Sequence, residues 1–216
     1  MGAYTKKWGM LILLLPLIAT AEGKEKKLNF LIQFSANYLY AKSKADTISD
    51  AVYSQKYQNP VVGAVSLGVG VLKKLYLGLR YEYWYGRRKF TLNNVEQTDS
   101  LKYQTIGPEV GLFHANSRVQ ALAAFGVFFP LRVAVESQGT GVSLFENKGM
   151  PVTLEARGLI AVRIVSPLSF FLEAGYRSAD LGKLVAADQS PYIVDNGILD
   201  FDLSGPFLGL GLALSF

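Results

Sequence analysis

The chain has no cysteine among its 216 residues. That removes disulfides, thiolate metal sites and cysteine nucleophiles together. Histidine occurs once, as His114. Charged residues make up 18% of the chain, against about 25% in an average soluble domain. The formal net charge is only +5, and +3 once Lys6 and Lys7 are set aside, too weak a bias to point to nucleic acid. Beyond residue 21 there is no unbroken apolar run of the roughly 18 residues that a membrane helix needs. Yet half of the chain is hydrophobic and its mean hydropathy is +0.22. An apolar chain without apolar helices must carry those residues in another pattern. The length allows one domain, or two small ones.

The first 21 residues stand apart. Lys6 and Lys7 precede an apolar run from Leu11 to Ile18, and Ala19-Thr20-Ala21 follows. A basic start, a short apolar core and an A-x-A site predict a secretory signal peptide over residues 1–21. A retained anchor is the alternative, and the run is short for spanning a bilayer. No cysteine follows the run, so a lipid-modified N-terminus is excluded.

Residues 22–216 repeat a rhythm rather than a motif. Phe30, Ile32, Phe34, Ala36 and Tyr38 alternate with Leu31, Gln33, Ser35 and Asn37. Leu75, Leu77, Leu79, Tyr81, Tyr83 and Tyr85 alternate with Gly78, Arg80, Glu82 and Trp84. Similar runs cover Val61–Val71, Leu101–Phe113, Val119–Phe129, Val152–Ile164 and Leu168–Tyr176. The last is GPFLGLGLALSF, with Leu208, Leu210, Leu212, Leu214 and Phe216 at every second position. Period two means strands, whose successive side chains point to opposite faces. Short connections (Leu72–Lys74, His114–Arg118, Val165–Leu168) alternate with long ones (Ala41–Asn59, Gly86–Ser100, Glu136–Gly149, Ala179–Ser204). The prediction is all-β: an eight-stranded antiparallel up-and-down barrel, with tight turns at one end and long loops at the other. Pro108 and Pro130 interrupt their strands and each removes a ladder donor, so bulges or strand ends are expected there.

The two faces differ in kind. One is Leu, Val, Ile, Phe and Tyr in nearly every run. The other is small, or charged at Arg80, Glu82, Glu109, Glu155, Arg157, Arg163, Glu173 and Arg177, four of each sign. Eight closed strands leave interior room only for side chains, and balanced buried charges are tolerable where isolated ones are not. The bulky face therefore points into lipid, where closure is compulsory because an open edge would strand unpaired N–H and C=O groups. A soluble barrel with its apolar face inward is the rival. Tyr38, Tyr40, Tyr81, Tyr83, Trp84 and Tyr85 near the long connections, and Phe30, Phe113 and Phe170 near the other end, fit two interfacial girdles.

This combination of leader, eight alternating strands and terminal Phe216 resembles the small bacterial outer-membrane β-barrels, such as the barrel domain of outer-membrane protein A and outer-membrane proteins X and W. The resemblance covers residues 28–216 as architecture, not as a shared motif. It implies a Gram-negative outer membrane, tight turns in the periplasm, long loops outside the cell and a last strand read by the barrel-assembly machinery. Lipid and lipopolysaccharide are the implied partners, the protein is expected to be a monomer, and no nucleic acid, cofactor, metal or catalysis is expected.

Candidate chemistry is sparse. His114 sits in the turn HANSR with only Asn116 and Ser117 beside it, which does not provide a nucleophile–base pair. The eight interior charges either plug the barrel with ion pairs or line a narrow conducting path for ions or small hydrophobic solutes. Arg87, Arg88 and Lys89 in YGRRKF follow an aromatic girdle; they are a solvated basic loop or a contact for lipopolysaccharide phosphates. Asp180, Asp188, Asp195, Asp200 and Asp202 lack EF-hand spacing and read as a polar surface loop. The first long connection, with Tyr53 and Tyr57, names no partner. If Leu208, Leu210, Leu212, Leu214 and Phe216 form the assembly signal, deleting Phe216 lowers the level of folded barrel in outer-membrane fractions several-fold; an unchanged level overturns that role while leaving the barrel itself intact.

Overall fold

The computed structural model describes residues 28–39, 58–71, 74–92, 95–138, 142–146, 151–183, 185–186, 193–194, 197–198 and 200–216. The expected leader (1–21), Tyr40, Tyr53 and Tyr57 lie outside the described residues. Eight strands form the wall: β1 Asn29–Leu39, β2 Gln58–Val71, β3 Leu75–Leu92, β4 Val95–Ala115, β5 Val119–Gln138, β6 Thr153–Val165, β7 Leu168–Ser178 and β8 Gly205–Ser215. Each pairs antiparallel with its chain neighbours, and β1 closes the ring on β8 through Ile32↔Leu214, Phe34↔Leu212 and Tyr38↔Leu208. At the turn end Phe30 N donates to Phe216 O at 3.1 Å and Phe216 N to Phe30 O at 3.0 Å. The last residue is thus part of the seam, so the expected closed antiparallel barrel is what forms.

Alternation sets which way each side chain points. β6 reads buried, exposed, buried from Thr153 to Ala161, and β8 does the same from Gly205 to Gly211. The outward row includes Phe34, Leu67, Leu112, Ile160, Leu172, Leu208 and Leu210, all exposed.

The strands run farther than the sequence pattern suggests. Gly86–Ser100, expected as a long loop, continues the β3–β4 ladder from Gly86↔Leu101 to Leu92↔Val95. In Glu136–Gly149, β5 continues to Gln138 and pairs with Val142–Glu146. In Ala179–Ser204, Asp180–Lys183 pairs with Asp200–Asp202. The reason is that beyond the apolar band neither face has to be apolar. The period-two signal vanishes from the sequence while backbone pairing continues.

Of the two prolines only Pro130 marks a bulge; at Pro108 neither the expected bulge nor a strand end forms, and β4 runs through it. Gln104 pairs with Arg132 and Thr105 with Pro130, which leaves Leu131 as the extra residue of a bulge. The bulge inverts the phase of β5: Phe128 is buried before it, Val133 and Val135 after it. Pro108 pairs in register with Leu79 of β3, whereas toward β5 the pairs pass from Ile106↔Phe129 to Glu109↔Gly126 with the register kept.

The interior is less polar than expected. A layer near the turns contains Leu31, Tyr76, Phe113, Leu122, Leu159 and Phe171. Toward the other end Trp84, Tyr103, Phe128 and Phe207 are buried. Phe113, expected in a girdle, is 3% exposed, and Trp84 is fully buried. Both sit at inward parity, which overrides their amphipathic preference. Phe30, Phe170, Tyr83 and Tyr85 do face outward, with 37–52% exposure.

The inward glycines make room for these rings. A Cβ on Gly70 would lie 2.6 Å from the Phe113 ring, and one on Gly68 or Gly78 would overlap Tyr76. In the last strand Gly211 faces the Phe171 ring and Gly209 faces Asn37, so these glycines are small because of a ring and an amide rather than the charged residues. Gly70→Ala should cost about 1–3 kcal/mol, the usual penalty for overpacking. The cost should shrink in a Phe113→Leu background, as measured by urea unfolding in lipid vesicles. Equal costs in both backgrounds would mean that the ring does not set the residue at position 70.

Candidate functional site: charges across the lumen

Inward parity brings seven of the eight expected charged residues into one connected cluster in the lumen. β3 supplies Arg80 and Glu82, β4 Glu109, β6 Glu155 and Arg157, and β7 Glu173 and Arg177. None is more than 4% exposed.

Arg80–Glu173 and Arg177–Glu82 span the barrel, Arg157–Glu109 reaches past one strand, and Arg80–Glu82, Arg157–Glu173 and Arg177–Glu155 run along the wall. Arg80 Nη2 lies 3.2 Å from Glu173 Oε1, joining β3 to β7, and Arg80 Nε donates to Glu82 at 2.8 Å. Arg157 grips Glu109 with two nitrogens, Nε at 2.8 Å and Nη2 at 3.0 Å. It also donates to Glu173 at 2.9 Å and to Gln33 of β1 at 3.1 Å. Arg177 Nη2 serves both Glu82, at 2.6 Å, and Glu155. Its guanidinium is held between two rings, 4.2 Å from the centroid of Trp84 and 4.9 Å from that of Phe207. Two-pronged guanidinium–carboxylate pairs are the strong form of the hydrogen bond, and they fix geometry as well.

Arg163 does not join. It shares inward parity with Arg157, but six residues of strand, roughly 20 Å, place it by the turn opposite Ser169. It is half-buried there and forms no ion pair with the four glutamates. Parity gives a residue's face; it does not give its height. The balance of four against four is therefore three guanidinium groups against four carboxylates.

Neutral partners complete the cluster. Trp84 Nε1 donates to Glu82 at 3.1 Å and Tyr76 OH to Glu109 at 3.4 Å. Arg80 also reaches Ser66 and Ser35. The inward positions of Gln33, Ser35 and Ser66 are legible in the sequence, but their bonding is not. Glu155 Oε1 has no hydrogen-bond partner, and its other cation, Arg80 Nε, is 3.9 Å away.

Of the remaining expected site residues, Arg87 is exposed on β3. Arg88 and Lys89 continue that strand, with side chains outside those described. Leu208, Leu210, Leu212 and Phe216 are exposed and Leu214 half-buried, all on the outer face of β8 or at its end. His114 is exposed at the turn end. In the same turn Asn116 Oδ1 accepts from the backbone N of Arg118 at 2.9 Å and of Val119 at 2.7 Å, a turn-forming role. Among the aspartates, Asp188 and Asp195 lie outside the described residues.

The architecture matches solved structures. The chain is similar to the outer membrane protein OprG from Pseudomonas aeruginosa, with a TM-score of 0.54 and 12% identity over 89% of this chain and 97% of that one. It is also similar to a major outer membrane protein from Thermus thermophilus, with a TM-score of 0.51 and 9% identity over 87% and 99%. Its fold is that of the outer-membrane β-barrels. Identities this low carry the fold alone. No family model matches the chain, and no curated protein does.

In a transmembrane barrel of this kind the apolar outer face meets lipid, and the seven charges lie in a low-dielectric lumen. There the sign of a substitution matters. Removing an arginine takes the formal excess from one negative charge to two; removing a glutamate takes it to zero. Arg157→Gln, which orphans Glu109 and half of Glu173, should cost about 3–5 kcal/mol, the usual figure for breaking a buried pair. Glu155→Gln should cost less than half of that. Comparable losses in urea unfolding of the two variants would show that the excess charge is not felt.

Proposed function

We propose that this protein is a structural barrel of the outer membrane, exported by residues 1–21, closed inside by its charge network, and presenting its elongated hairpins outside the cell for surface interaction. The observation that carries this reading is the cross-lumen pairing. Arg80 to Glu173 and Arg177 to Glu82 join the opposite strands β3 and β7, Arg157 ties β6 to Glu109 of β4 and Gln33 of β1, and bulky apolar layers lie on either side of them. Side chains that span an eight-stranded lumen occupy the path that a solute would take.

Other features support the same reading. Leu208, Leu210, Leu212, Leu214 and Phe216 give the barrel-assembly machinery an apolar terminal strand ending in an aromatic ring. The lone histidine stands at the turn end beside a turn-forming asparagine, which favours a non-catalytic role. β1 and β8 satisfy each other's backbone, so a single chain completes the wall and a monomer suffices. Outer-membrane lipid and lipopolysaccharide are the natural surroundings of the outward Leu, Phe and Tyr residues.

The competing reading, a narrow channel for ions or small hydrophobic solutes, requires the pairs to exchange. Purified full-length protein in planar bilayers should give no steady current steps at neutral pH. Reproducible ion-selective openings would replace the structural reading with the channel.

A further inference from the structure

Three cations stand on the outer face of the wall, just beyond the exposed rings of Tyr83 and Tyr85. Arg87 follows those tyrosines in the outward phase of β3 and is exposed. Lys102 of β4 lies opposite Tyr85, with its side chain 38% exposed. Arg132 of β5 is exposed immediately past the bulge at Leu131.

The register places them at one height. Barrel strands are tilted, so level residues are not ladder partners. The offset is visible at the turn end. Leu75, the first residue of β3, pairs with Leu112, three residues before β4 ends at Ala115. Ala115 pairs with Gln120, one residue inside the start of β5 at Val119. Passing from β3 to β4 to β5, a level position therefore lies one to three residues nearer the turns than the ladder partner. Arg87 pairs with Ser100, and Lys102 is two residues nearer the turns. Lys102 pairs with Ala134, and Arg132 is two residues nearer the turns. Strand spacing and rise give separations of roughly 8 Å between neighbouring Cα atoms. Glu136, which accepts from Lys102 Nζ at 3.0 Å, stands on β5 beyond Ala134, farther from the apolar band than Arg132.

We infer that Arg87, Lys102 and Arg132 form an arc that binds the diphosphorylated sugar headgroup of the outer-leaflet lipid, the lipid A part of lipopolysaccharide. The arc lies where the apolar face gives way to polar surface and faces away from the barrel, so it meets headgroups rather than solvent-borne ligands. Interfacial tyrosines fix the depth of the wall just below it. Each guanidinium offers a planar fork suited to phosphate, and the ammonium between them adds a third positive centre. The inference rests on the proposed orientation, with the long hairpins outside the cell.

The test uses the folded full-length chain in zwitterionic detergent with EDTA, titrated with diphosphoryl lipid A, with monophosphoryl lipid A or with inorganic phosphate. Diphosphoryl lipid A should raise the midpoint of thermal unfolding, the monophosphoryl form should raise it less, and inorganic phosphate at the same phosphate concentration should not change it. The variant Arg87→Gln/Lys102→Gln/Arg132→Gln should keep the heat-modifiable folded band and bind lipid A at least tenfold more weakly. Lys102→Gln alone should show an intermediate loss. Equal binding by wild type and triple variant overturns the arc, as does an equal response to inorganic phosphate. Orientation is read separately by labelling Gln97→Cys in intact cells with an impermeant maleimide, clean in a chain that has no other cysteine. Labelling that requires lysis overturns the outer-leaflet placement together with the proposed orientation. Labelling in intact cells combined with unchanged lipid A binding in the triple variant overturns the arc alone.

Discussion

Every backbone N–H and C=O in a bilayer must find its partner within the protein, and the rest of this structure follows from that requirement. It makes β1 and β8, the first and last strands of the wall, neighbours in register from Leu31↔Ser215 to Leu39↔Phe207. It draws the terminal Phe216 into the seam by paired bonds with Phe30. It also explains why Pro130 coincides with a bulge. A residue without an N–H is accommodated where the ladder is already interrupted, and Leu131 absorbs the change of phase.

Closing eight strands fixes the interior to about the width of the side chains that fill it. The chain fills it in two ways. At the level of Tyr76, Phe113 and Phe171 it sets rings against glycines, so that Gly70 makes room for Phe113 and Gly211, on the adjacent strand, for Phe171. Between the apolar layers it uses arginines, of which Arg80 and Arg177 reach the opposite wall. Charges left unpaired here would cost several kcal/mol each. The arrangement is tolerable because each guanidinium meets more than one acceptor or ring: Arg157 reaches two glutamates and a glutamine, and Arg177 two glutamates and two aromatic faces.

What was legible in the sequence is what period two encodes. The strands, their number, the outward row and the inward parity of Arg80, Glu82, Glu109, Glu155, Arg157, Glu173 and Arg177 all follow from alternation. What alternation leaves out is height along the strand. Arg163 has the right parity and the wrong level, and only the register separates it from Arg157. Phe113 and Trp84 have the chemistry of an interface and the parity of the lumen, and parity prevails. The extended hairpin from Gly86 to Ser100 was hidden for a third reason: its strands leave the region where one face must be apolar, so pairing continues without a sequence trace.

These constraints account for a shared architecture at 9–12% identity. Lipid asks only that alternate outward positions be apolar, which many residues satisfy. The lumen asks for volume and approximate charge balance, which many combinations of ring, glycine and ion pair satisfy. Neither demand names a partner, so fold alone carries little about function. Information specific to this protein must lie where both demands lapse, at the edge of the apolar band and beyond it. Arg87, Lys102 and Arg132 stand on that edge. Closure does not call for them and they do not fill the lumen. On the lipid face itself a cation would be costly, by about 2–4 kcal/mol at mid-bilayer and close to zero at the interface. Three of them at one interfacial height is therefore a feature that the fold permits without requiring, and one that negatively charged headgroups would favour.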